Sequence, residues 1–322
     1  MKCWLPIPAE LEDVRCAVCG AGERDSLLPH DWFGFPIALG SCRRCGFVYC
    51  SPRPTDQFMA RFYRRHYLRF YEGWSELTPE YIKTHQLKEA AQARVTRYSG
   101  LVPPNGRTLD VGCGAAFFLA YLREARPDIV VRGIELGETQ ARYARQRLGV
   151  DVFQGSFDEF QSLEPYELVT AFHVAEHVQN LGHFFAFLRK RVSPNGYVVI
   201  ESPNLDGSWR DLSMFHIAHL YAFTPDSIRQ LVRKHGFETE RITIGESGWD
   251  WPNLHAVLRP TAVVQFVPEH VPVTAAVLER LKRVVAPRWV CVARSWAKLL
   301  LRYLGFGRQL DLWRLRRRTP PS

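Results

Sequence analysis

The sequence predicts an α/β protein with a doubly wound parallel sheet, preceded by a small cysteine-rich module. Three observations lead to this prediction. Strand and helix patterns alternate from residue 107 to 201, a glycine-rich turn joins the first strand to the first helix, and six of the eight cysteines lie in the first fifty residues. Alternation of this kind produces parallel strands joined by right-handed crossovers, with helices on both faces of the sheet.

The predicted elements follow one another at short spacing. Strands are expected at 107–111, 130–134, 151–153, 168–171, 197–201 and 240–244, with a last strand at 309–316. Helices are expected at 116–126, 139–148, 181–192 and 224–235. Hydrophobic periodicity within each segment and turn residues between segments support these assignments.

Changes in pattern divide the chain into five parts. They are a cysteine-rich module (1–52), a helical linker or lid (53–103), the α/β domain (104–246), a helical insertion (247–305) and a last strand with a basic tail (306–322). In the linker, Tyr63 and Tyr67 are expected either to cover a ligand or to pack in a core. The apolar stripes and basic flanks of the insertion favour packing on a domain or a second subunit, or adsorption to an anionic membrane.

Composition excludes several classes of protein. A hydrophobic fraction of 46% with 23% charged residues is typical of a globular chain, so disorder and fibrous structure are excluded. The N-terminus lacks the apolar core of a secretory signal, and no apolar run is long enough to span a bilayer. We therefore expect a cytoplasmic protein.

The charge balance is basic. Thirty-five arginines and seven lysines give a formal net charge of +9. This excess favours acidic or phosphorylated partners, RNA or an anionic surface, although a biased genomic base composition would produce it as well. Charge therefore does not select a partner.

The cysteines form two C-x-x-C pairs, each followed by glycine. The pairs are Cys16 with Cys19 and Cys42 with Cys45, and twenty-two residues separate them. This spacing is typical of a structural zinc site with four thiolate ligands, since a glycine there permits the turn that aims amides at sulfur. A redox pair or a cysteine-rich core is the alternative. A four-cysteine site leaves no open position, so we expect the metal to stabilise and not to catalyse.

The segment 108–117 predicts a cofactor loop. Gly112 and Gly114 allow a tight turn and a close backbone approach, and the following helix offers its free amides. A dinucleotide loop would need a small residue where Phe117 stands. Asp110 instead places a carboxylate at the strand end, which suits an ammonium group and not a phosphate.

Two later motifs complete the predicted cofactor site. Glu135 ends the second strand and can accept hydrogen bonds from both hydroxyls of a ribose, while Ser156 and Phe157 follow the third strand and suit an adenine. A ligand with these groups and no required phosphate is S-adenosylmethionine. We predict that it is bound by nine residues: Asp110, Gly112, Cys113, Gly114, Glu135, Leu136, Ser156, Phe157 and His173.

The catalytic residues are expected where the fourth strand ends. His173, Glu176 and His177 lie there, and His219 should return over the same edge. Methyl transfer to a hydroxyl or carbon needs a base, and a histidine that titrates near neutrality suits that role. As alternatives, Glu176 and His177 could pin the following helix, His219 could pack in a core or lid, and the cluster could bind a divalent metal.

These motifs resemble those of class I S-adenosylmethionine-dependent methyltransferases. The resemblance covers residues 107–201, and the whole chain is similar to the subgroup with an N-terminal zinc module, through Ser51-Pro52-Arg53-Pro54 and Glu201-Ser202-Pro203-Asn204. It implies a seven-stranded Rossmann-like sheet with a reversed seventh strand, expected at 309–316. Ala116, Ser156 and Asn195 depart from the usual pattern. The sequence of 173–177 is also similar to an acidic metal-binding version in ubiquinone-pathway O-methyltransferases and small-RNA terminal methyltransferases.

The functional prediction is an S-adenosylmethionine-dependent methyltransferase. Its acceptor would be a hydroxyl or carbon of a small molecule, such as a sugar nucleotide, a lipid-linked glycan or a secondary metabolite, and an acidic or phosphorylated acceptor is favoured by the net charge. An RNA methyltransferase is the first alternative. A catalytically silent zinc-ribbon adaptor is the second, against which the intact glycine loop and Glu135 argue.

Overall fold

The computed structural model describes residues 10–31, 35–65, 76–162, 164–207, 209, 214–245, 250, 252–262, 265–285, 297 and 300–301. The predicted last strand at 309–316, the basic tail, Tyr67 and most of the insertion after residue 285 lie outside these residues.

Thirteen strands and eight helices are formed within the described part of the chain. The strands are β1 Leu11–Glu12, β2 Arg24–Leu28, β3 Leu39–Cys42, β4 Val48–Cys50, β5 Arg53–Pro54, β6 Arg107–Val111, β7 Val130–Glu135, β8 Asp151–Gln154, β9 Tyr166–Phe172, β10 Val192–Pro203, β11 Tyr221–Ala222, β12 Phe237–Ile244 and β13 Asn253–Pro260. The helices are α1 Asp56–Arg65, α2 Pro79–Thr84, α3 Leu87–Tyr98, α4 Phe117–Ala125, α5 Glu138–Arg147, α6 Leu181–Arg191, α7 Pro225–Lys234 and α8 Ala275–Val285.

A seven-stranded sheet forms the centre, in the order β12, β13, β10, β9, β6, β7, β8. Strands β6 to β10 pair in parallel, and β13 runs antiparallel to both of its neighbours. The chain moves outward from β6 to β8 and then returns to the other side of β6 with β9. In open α/β sheets, ligands bind at the crevice where the strand order reverses. The fold therefore directs a ligand to the carboxyl ends of β6 and β9.

Helices cover both faces of the sheet, as the alternating pattern predicts. Helices α6 and α7 pack on one face against Leu109 and Val111 of β6, while α3, α4 and α5 pack on the other. Leu119 and Leu122 of α4 are fully buried, and burial of such side chains contributes about 1.5 to 3 kcal/mol each. Thr224 caps α7 through a reciprocal pair of hydrogen bonds with Ser227.

The one antiparallel strand that the resemblance implies for the central sheet was predicted at 309–316, but the structure forms it earlier in the chain. It is β13, inside the segment predicted as a wholly helical insertion, and its residues pair with β10 from Val198 to Pro203. The prediction was wrong because Asn253–Pro260 is buried at nearly every position. A strand covered on both faces has no apolar and polar alternation to distinguish it from a buried helix.

The cysteine-rich module is continuous with the α/β domain. Its strands β2, β3 and β4 form a four-stranded antiparallel sheet with β11, which follows the fifth strand of the central sheet. Phe47 packs on Tyr221 and Phe223, with ring centroids 5.9 and 6.0 Å apart. The module therefore shares a sheet and a core with the domain to which it is attached.

Helix α8 covers the module from the other side. Val277 and Leu281 are buried against apolar residues that include Leu28 and Phe58. The Val271 amide donates to the Cys45 carbonyl over 3.1 Å. This part of the insertion packs on its own chain, as one of the two sequence hypotheses expected. Among the described residues, no helix is both long and apolar enough to cross a bilayer.

Candidate functional site

A cavity of about 670 Å³ opens at the carboxyl ends of β6 and β9. Seven of the nine predicted cofactor residues line it: Gly112, Gly114, Glu135, Leu136, Ser156, Phe157 and His173. His177 lines it as well, together with Asp56, Met59 and Tyr63 from α1. Asp110 and Cys113 lie behind this wall. The structure thus brings the predicted cofactor loop and part of the predicted catalytic cluster to one cavity.

The glycine loop adopts the conformation that its sequence predicts. Gly112 and Gly114 have φ of +69° and +56°, which is the left-handed region. A Cβ on Gly112 would lie 2.5 Å from a methyl group of Val174, so this position also excludes any side chain. Ala116, which stands where the resembling family has glycine, keeps a φ of +59°. The substitution therefore leaves the turn intact, at a cost of about 1 kcal/mol.

Glu135 holds the loop in place. Its two carboxylate oxygens accept hydrogen bonds from the Gly114 amide over 2.8 Å and from the Gly137 amide over 2.6 Å. Burial raises the pKa of Glu135, while these backbone donors favour its charged form. Each oxygen retains a further lone pair with which to accept a ribose hydroxyl.

Asp110 lies beneath the loop. The side chain is 2% exposed and accepts a hydrogen bond of 2.7 Å from the Thr170 hydroxyl. Burial raises the pKa of Asp110 to about 7, although Thr170 and the charge of Arg94 act in the opposite direction. Asp110 is not among the residues that line the cavity, so its predicted contact with the ligand stays a prediction.

Ser156 and Phe157 line the part of the cavity that follows β8. The Ser156 amide donates to a Glu159 carboxylate oxygen over 2.8 Å, and the Ser156 hydroxyl accepts from the Asp158 amide over 3.1 Å. Phe157 packs on the rings of Phe184 and Phe187, with centroids 5.5 and 5.3 Å away. The aromatic wall is therefore fixed by α6.

His173 is held by two carboxylates. Its Nδ1 lies 3.1 Å from Glu176 Oε1, and its Nε2 lies 3.1 Å from Glu201 Oε1. Burial alone would lower the pKa of His173, but the two carboxylates outweigh this effect and raise it to about 9. Both nitrogens act as donors in this arrangement, so at neutral pH the ring has no lone pair with which to act as a base. The geometry favours a supporting role.

An ion network behind His173 went unrecognised at the sequence level. Arg94 of α3 donates to Glu201 over 3.0 Å, and the Glu201 side chain is fully buried. Asp250 and His255 lie beside it and contact Arg97. Because both carboxylates are paired with guanidinium groups, we interpret this cluster as an ion network and not as a metal site. Isolated arginines on a linker helix form no motif, which explains why the sequence did not reveal them.

Three histidines gather beside Glu176. The His177 and His219 rings are 4.7 Å apart by centroid, and His216 lies 3.9 Å from His219. Burial lowers the pKa of all three, to about 3 for His219, so they are neutral at pH 7. Glu176 Oε2 is buried and has no hydrogen-bond partner among the described residues. Burial would raise the pKa of Glu176, but the hydrogen bond and the charge of His173 outweigh this effect and lower it to about 2.

Backbone carbonyls fix the tautomers of two of these rings. His177 Nδ1 lies 3.0 Å from the Ala218 carbonyl oxygen, and His219 Nδ1 lies 2.7 Å from that of Met214. A carbonyl only accepts, so Nδ1 carries the proton in both rings and Nε2 carries the lone pair. One ligand atom each from Glu176, His177 and His219 lies within 4.8 Å of the others. This set of atoms can accept a proton or coordinate a cation.

The four module cysteines converge. Cys16 Sγ lies 3.5 Å from Cys45 Sγ, and Cys19 Sγ lies 3.4 Å from Cys42 Sγ. All four sulfurs lie within 4.8 Å of one another. The sulfurs of a tetrahedral zinc site with bonds of about 2.3 Å would be roughly 3.8 Å apart. The residues present therefore fit that metal.

The turns around the sulfurs also fit a metal site. The Gly20 amide donates to the Cys16 carbonyl over 2.9 Å, and the Gly46 amide donates to that of Cys42 over 2.8 Å. Both glycines lie in the left-handed region, with φ of +74° and +77°. Burial raises the pKa of Cys19 to about 11, so four thiolates at this site need a cation.

Comparison with known proteins agrees with this geometry. Residues 84–242 match the model of a protein family described as a methyltransferase domain, which confirms the prediction of such a domain. The chain is 29% identical over 138 residues to a ubiquinone biosynthesis O-methyltransferase of Photobacterium profundum, covering 41% of this chain and 57% of that protein.

A second curated relative is named for a different substrate. The chain is 26% identical over 159 residues to ribosomal RNA small subunit methyltransferase C of Haemophilus ducreyi, covering 45% of this chain and 48% of that protein. The chain thus spans about half the length of these curated relatives. Among solved structures, it is similar to magnesium protoporphyrin IX methyltransferase from Synechocystis PCC 6803 with bound SAH. The TM-score is 0.48 at 14% identity, over 64% of this chain and all of that one.

Proposed function

We propose that this protein is an S-adenosylmethionine-dependent methyltransferase that transfers a methyl group to a hydroxyl or carbon of a small molecule. The observation that carries the proposal is the shared cavity. The loop with Gly112 and Gly114 forms one wall, and His177 lies on another. A methyl donor on the loop and an acceptor beside His177 would therefore meet in one cavity, as an in-line displacement requires.

The cofactor half supports a sulfonium nucleoside in preference to a dinucleotide. Phe117, at the start of α4, is buried, so the close strand and helix packing around a pyrophosphate is blocked. Glu135 would accept the ribose hydroxyls, and Ser156 with Phe157 would border the adenine. His173, as an imidazolium at the cavity wall, suits the carboxylate of the amino acid end.

His177 is the proposed general base. Its Nε2 would take the proton from the acceptor hydroxyl or carbon as that atom attacks the methyl carbon. A bond from the acceptor to the methyl group forms, the bond from methyl to sulfur breaks, and the sulfonium becomes a neutral thioether. The Glu176 carboxylate would stabilise the imidazolium that results.

A metal-assisted form of the same reaction is the second candidate. Glu176, His177 and His219 each offer one ligand atom to a set of one carboxylate and two neutral imidazoles, and the buried Glu176 Oε2 has no hydrogen-bond partner among the described residues. Metal-bound histidines commonly donate their other N–H to a backbone carbonyl, as these two rings do. A divalent metal there would supply Lewis acidity to the acceptor oxygen.

The acceptor class remains a proposal. Sugar nucleotides, lipid-linked glycans and secondary metabolites all offer hydroxyls or activated carbons. The expectation of an acidic or phosphorylated acceptor gains no support from the cavity, because its described lining includes five carboxylates and neither lysine nor arginine. These carboxylates belong to Asp56, Glu135, Glu138, Asp158 and Glu159. The lining favours an uncharged acceptor.

Two alternative functions differ in their tests. RNA methylation is favoured by the basic charge and by the name of one relative, and a silent adaptor would keep the fold without binding a cofactor.

We propose further that the cysteine-rich module binds one structural zinc ion through Cys16, Cys19, Cys42 and Cys45. The cytoplasm is the proposed location, since such thiolates stay reduced there.

Calorimetry with S-adenosylmethionine and with NAD is the first test. Binding of the former alone is expected, and tight binding of NAD alone would refute the proposal. Transfer of a labelled methyl group is then screened on sugar nucleotides, lipid-linked glycans, phenolic metabolites and ribosomal RNA. Methylated RNA would favour the first alternative, and absence of S-adenosylmethionine binding by the folded protein would favour the second.

Treatment with a chelator distinguishes the metal-assisted reaction from base catalysis by His177 alone. If the cluster binds a catalytic metal, a chelator too weak to remove the module zinc should abolish methyl transfer, and Mg²⁺ or Mn²⁺ should restore it. If His177 acts as a base without metal, the treatment should leave the rate unchanged.

A further inference from the structure

Helix α1 contributes a phenol to the histidine cluster. The Tyr63 hydroxyl oxygen lies 2.8 Å from His177 Nδ1, and the two rings meet edge to face with centroids 6.1 Å apart. Both residues line the cavity. Tyr63 lies outside the region 84–242 that matches the methyltransferase domain. A residue from the segment before that domain therefore contacts His177, the proposed general base.

The direction of this hydrogen bond follows from a second contact. His177 Nδ1 also lies 3.0 Å from the Ala218 carbonyl oxygen, which has no proton to give. Nδ1 must therefore carry the hydrogen, and the Tyr63 oxygen accepts a share of it. A bifurcated bond of this kind has one donor and two acceptors.

We propose that Tyr63 is a positioning residue for His177. Its hydroxyl oxygen and the Ala218 carbonyl together hold Nδ1–H, which fixes the tautomer and the ring orientation and leaves Nε2 as the reacting nitrogen. This inference rests on the proposed function, in which His177 faces the acceptor. The orienting task is comparable to that of the buried carboxylate in a serine protease triad, which holds the second nitrogen of the catalytic histidine.

The packing of α1 fits such a role. Phe58 and Phe62, on the same helix, are buried and stack with centroids 6.2 Å apart. They belong to an apolar cluster that includes Leu39 and Val48 of the cysteine-rich module and Leu281 of α8. The helix is therefore anchored on the module, and the position of the Tyr63 hydroxyl depends on that anchor. Rigid support of this kind is what a positioning group needs.

The test is a long-range ¹H–¹⁵N spectrum of the full chain labelled at histidine, at neutral pH. His177→Gln identifies the His177 signals. Parent protein should show Nδ1 protonated and Nε2 unprotonated. Tyr63→Phe keeps the ring and removes the hydroxyl, so the fraction of the Nε2–H tautomer should rise about fivefold, as expected for one lost hydrogen bond. Tyr121→Phe, on α4 and away from the cavity lining, should leave the His177 signals unchanged.

Two results would overturn the inference. One is an unchanged His177 tautomer in folded Tyr63→Phe. The other is a parent protein protonated at Nε2, which needs no variant and so decides the matter even where Tyr63→Phe does not fold. S-adenosylmethionine binding is measured on the same samples. Absence of binding in the parent counts against the proposed function, whereas intact binding with an unchanged tautomer counts against Tyr63 alone.

Discussion

The two halves of the cavity are built in different ways. The half proposed for the cofactor consists of β6, the glycine loop and the ends of β7 and β8, which follow one another within about fifty residues. The half proposed for the acceptor combines α1, the turn after β9 and the 214–220 segment. Tyr63 and His177 are 114 positions apart, and Ala218 is 41 further on. A cofactor site can thus be encoded locally, whereas this acceptor site exists only once distant segments have packed.

Loss of the module metal should have the largest effect, because α1 is anchored on the module. Purified protein should contain one zinc ion per chain by elemental analysis. Cys42→Ser should unfold or aggregate the first fifty residues and remove methyl transfer, since the zinc contributes folding free energy. Cys3→Ser changes a cysteine that is not one of the four proposed ligands, and it should leave the zinc content and methyl transfer unchanged. Fully folded, active protein without zinc would contradict the prediction.

Replacement of His177 should impair the proposed acceptor half of the cavity and leave the proposed cofactor half intact. His177→Ala should lower the turnover rate about a hundredfold or more and leave the affinity for S-adenosylmethionine within a few-fold of the parent. Turnover is measured on the acceptor found in the methyl-transfer screen, with the exposed His270→Ala as control. If His177 only pins the helix, the variant would lose about 1 kcal/mol of stability and keep its turnover.

Glu135→Ala should impair the proposed cofactor half of the cavity. The variant loses the acceptor for the ribose hydroxyls and also the tether to the Gly114 and Gly137 amides. Cofactor binding should weaken by about 1 to 3 kcal/mol in calorimetry. Glu138→Ala removes a neighbouring carboxylate from the same cavity wall and should cost far less. Equal losses in both variants would mean that general charge, and not the Glu135 hydrogen bonds, holds the ligand.

Asp110→Asn should have the smallest effect on methyl transfer, and its effect on stability should depend on pH. Burial raises the pKa of Asp110 from 3.8 to about 7. The unfolded chain therefore releases this proton at lower pH than the folded chain does, so the carboxyl group's contribution to stability falls as pH rises from about 4 to about 7. Asparagine has no such dependence.

Relative to the parent, Asp110→Asn should therefore gain about 3 to 4 kcal/mol in the free energy of unfolding between about pH 4 and pH 8. Urea unfolding at the two pH values measures this difference. A difference between variant and parent that stays constant with pH would show that burial of this carboxyl group does not control stability.

Local motifs account for what could be predicted. The four predicted helices of the α/β domain correspond to α4, α5, α6 and α7, and Gly112 and Gly114 have the backbone angles that their pattern requires. The helix predicted from residue 224 is α7, and Thr224 is its N-cap. These features depend on sterics and hydrogen bonds within a few positions, so the sequence contains the information directly.

Predictions failed or remained open where long-range packing decides. The sequence pattern predicted the antiparallel strand at 309–316 and missed β13. A strand buried on both faces lacks the alternation of apolar and polar residues by which a strand is recognised. The sequence predicted His173 as a catalytic residue, but the contacts of its two nitrogens with Glu176 and Glu201 exist only in the folded chain. The Arg94 and Glu201 pair spans 107 positions and leaves no pattern in the sequence.

By itself, the sequence determined the α/β architecture, the glycine loop with its acidic partner and the four-cysteine pattern, since each depends on neighbours along the chain or on the strict side-chain period of a helix or strand. Only the tertiary structure decided which nitrogen of each histidine carries a proton, which carboxylates are paired, and that α1 reaches His177. Those properties depend on burial and on contacts of a few ångströms between segments far apart in the chain. Burial shifts the pKa of a group, and contact selects its tautomer, only when folding has brought the partners together.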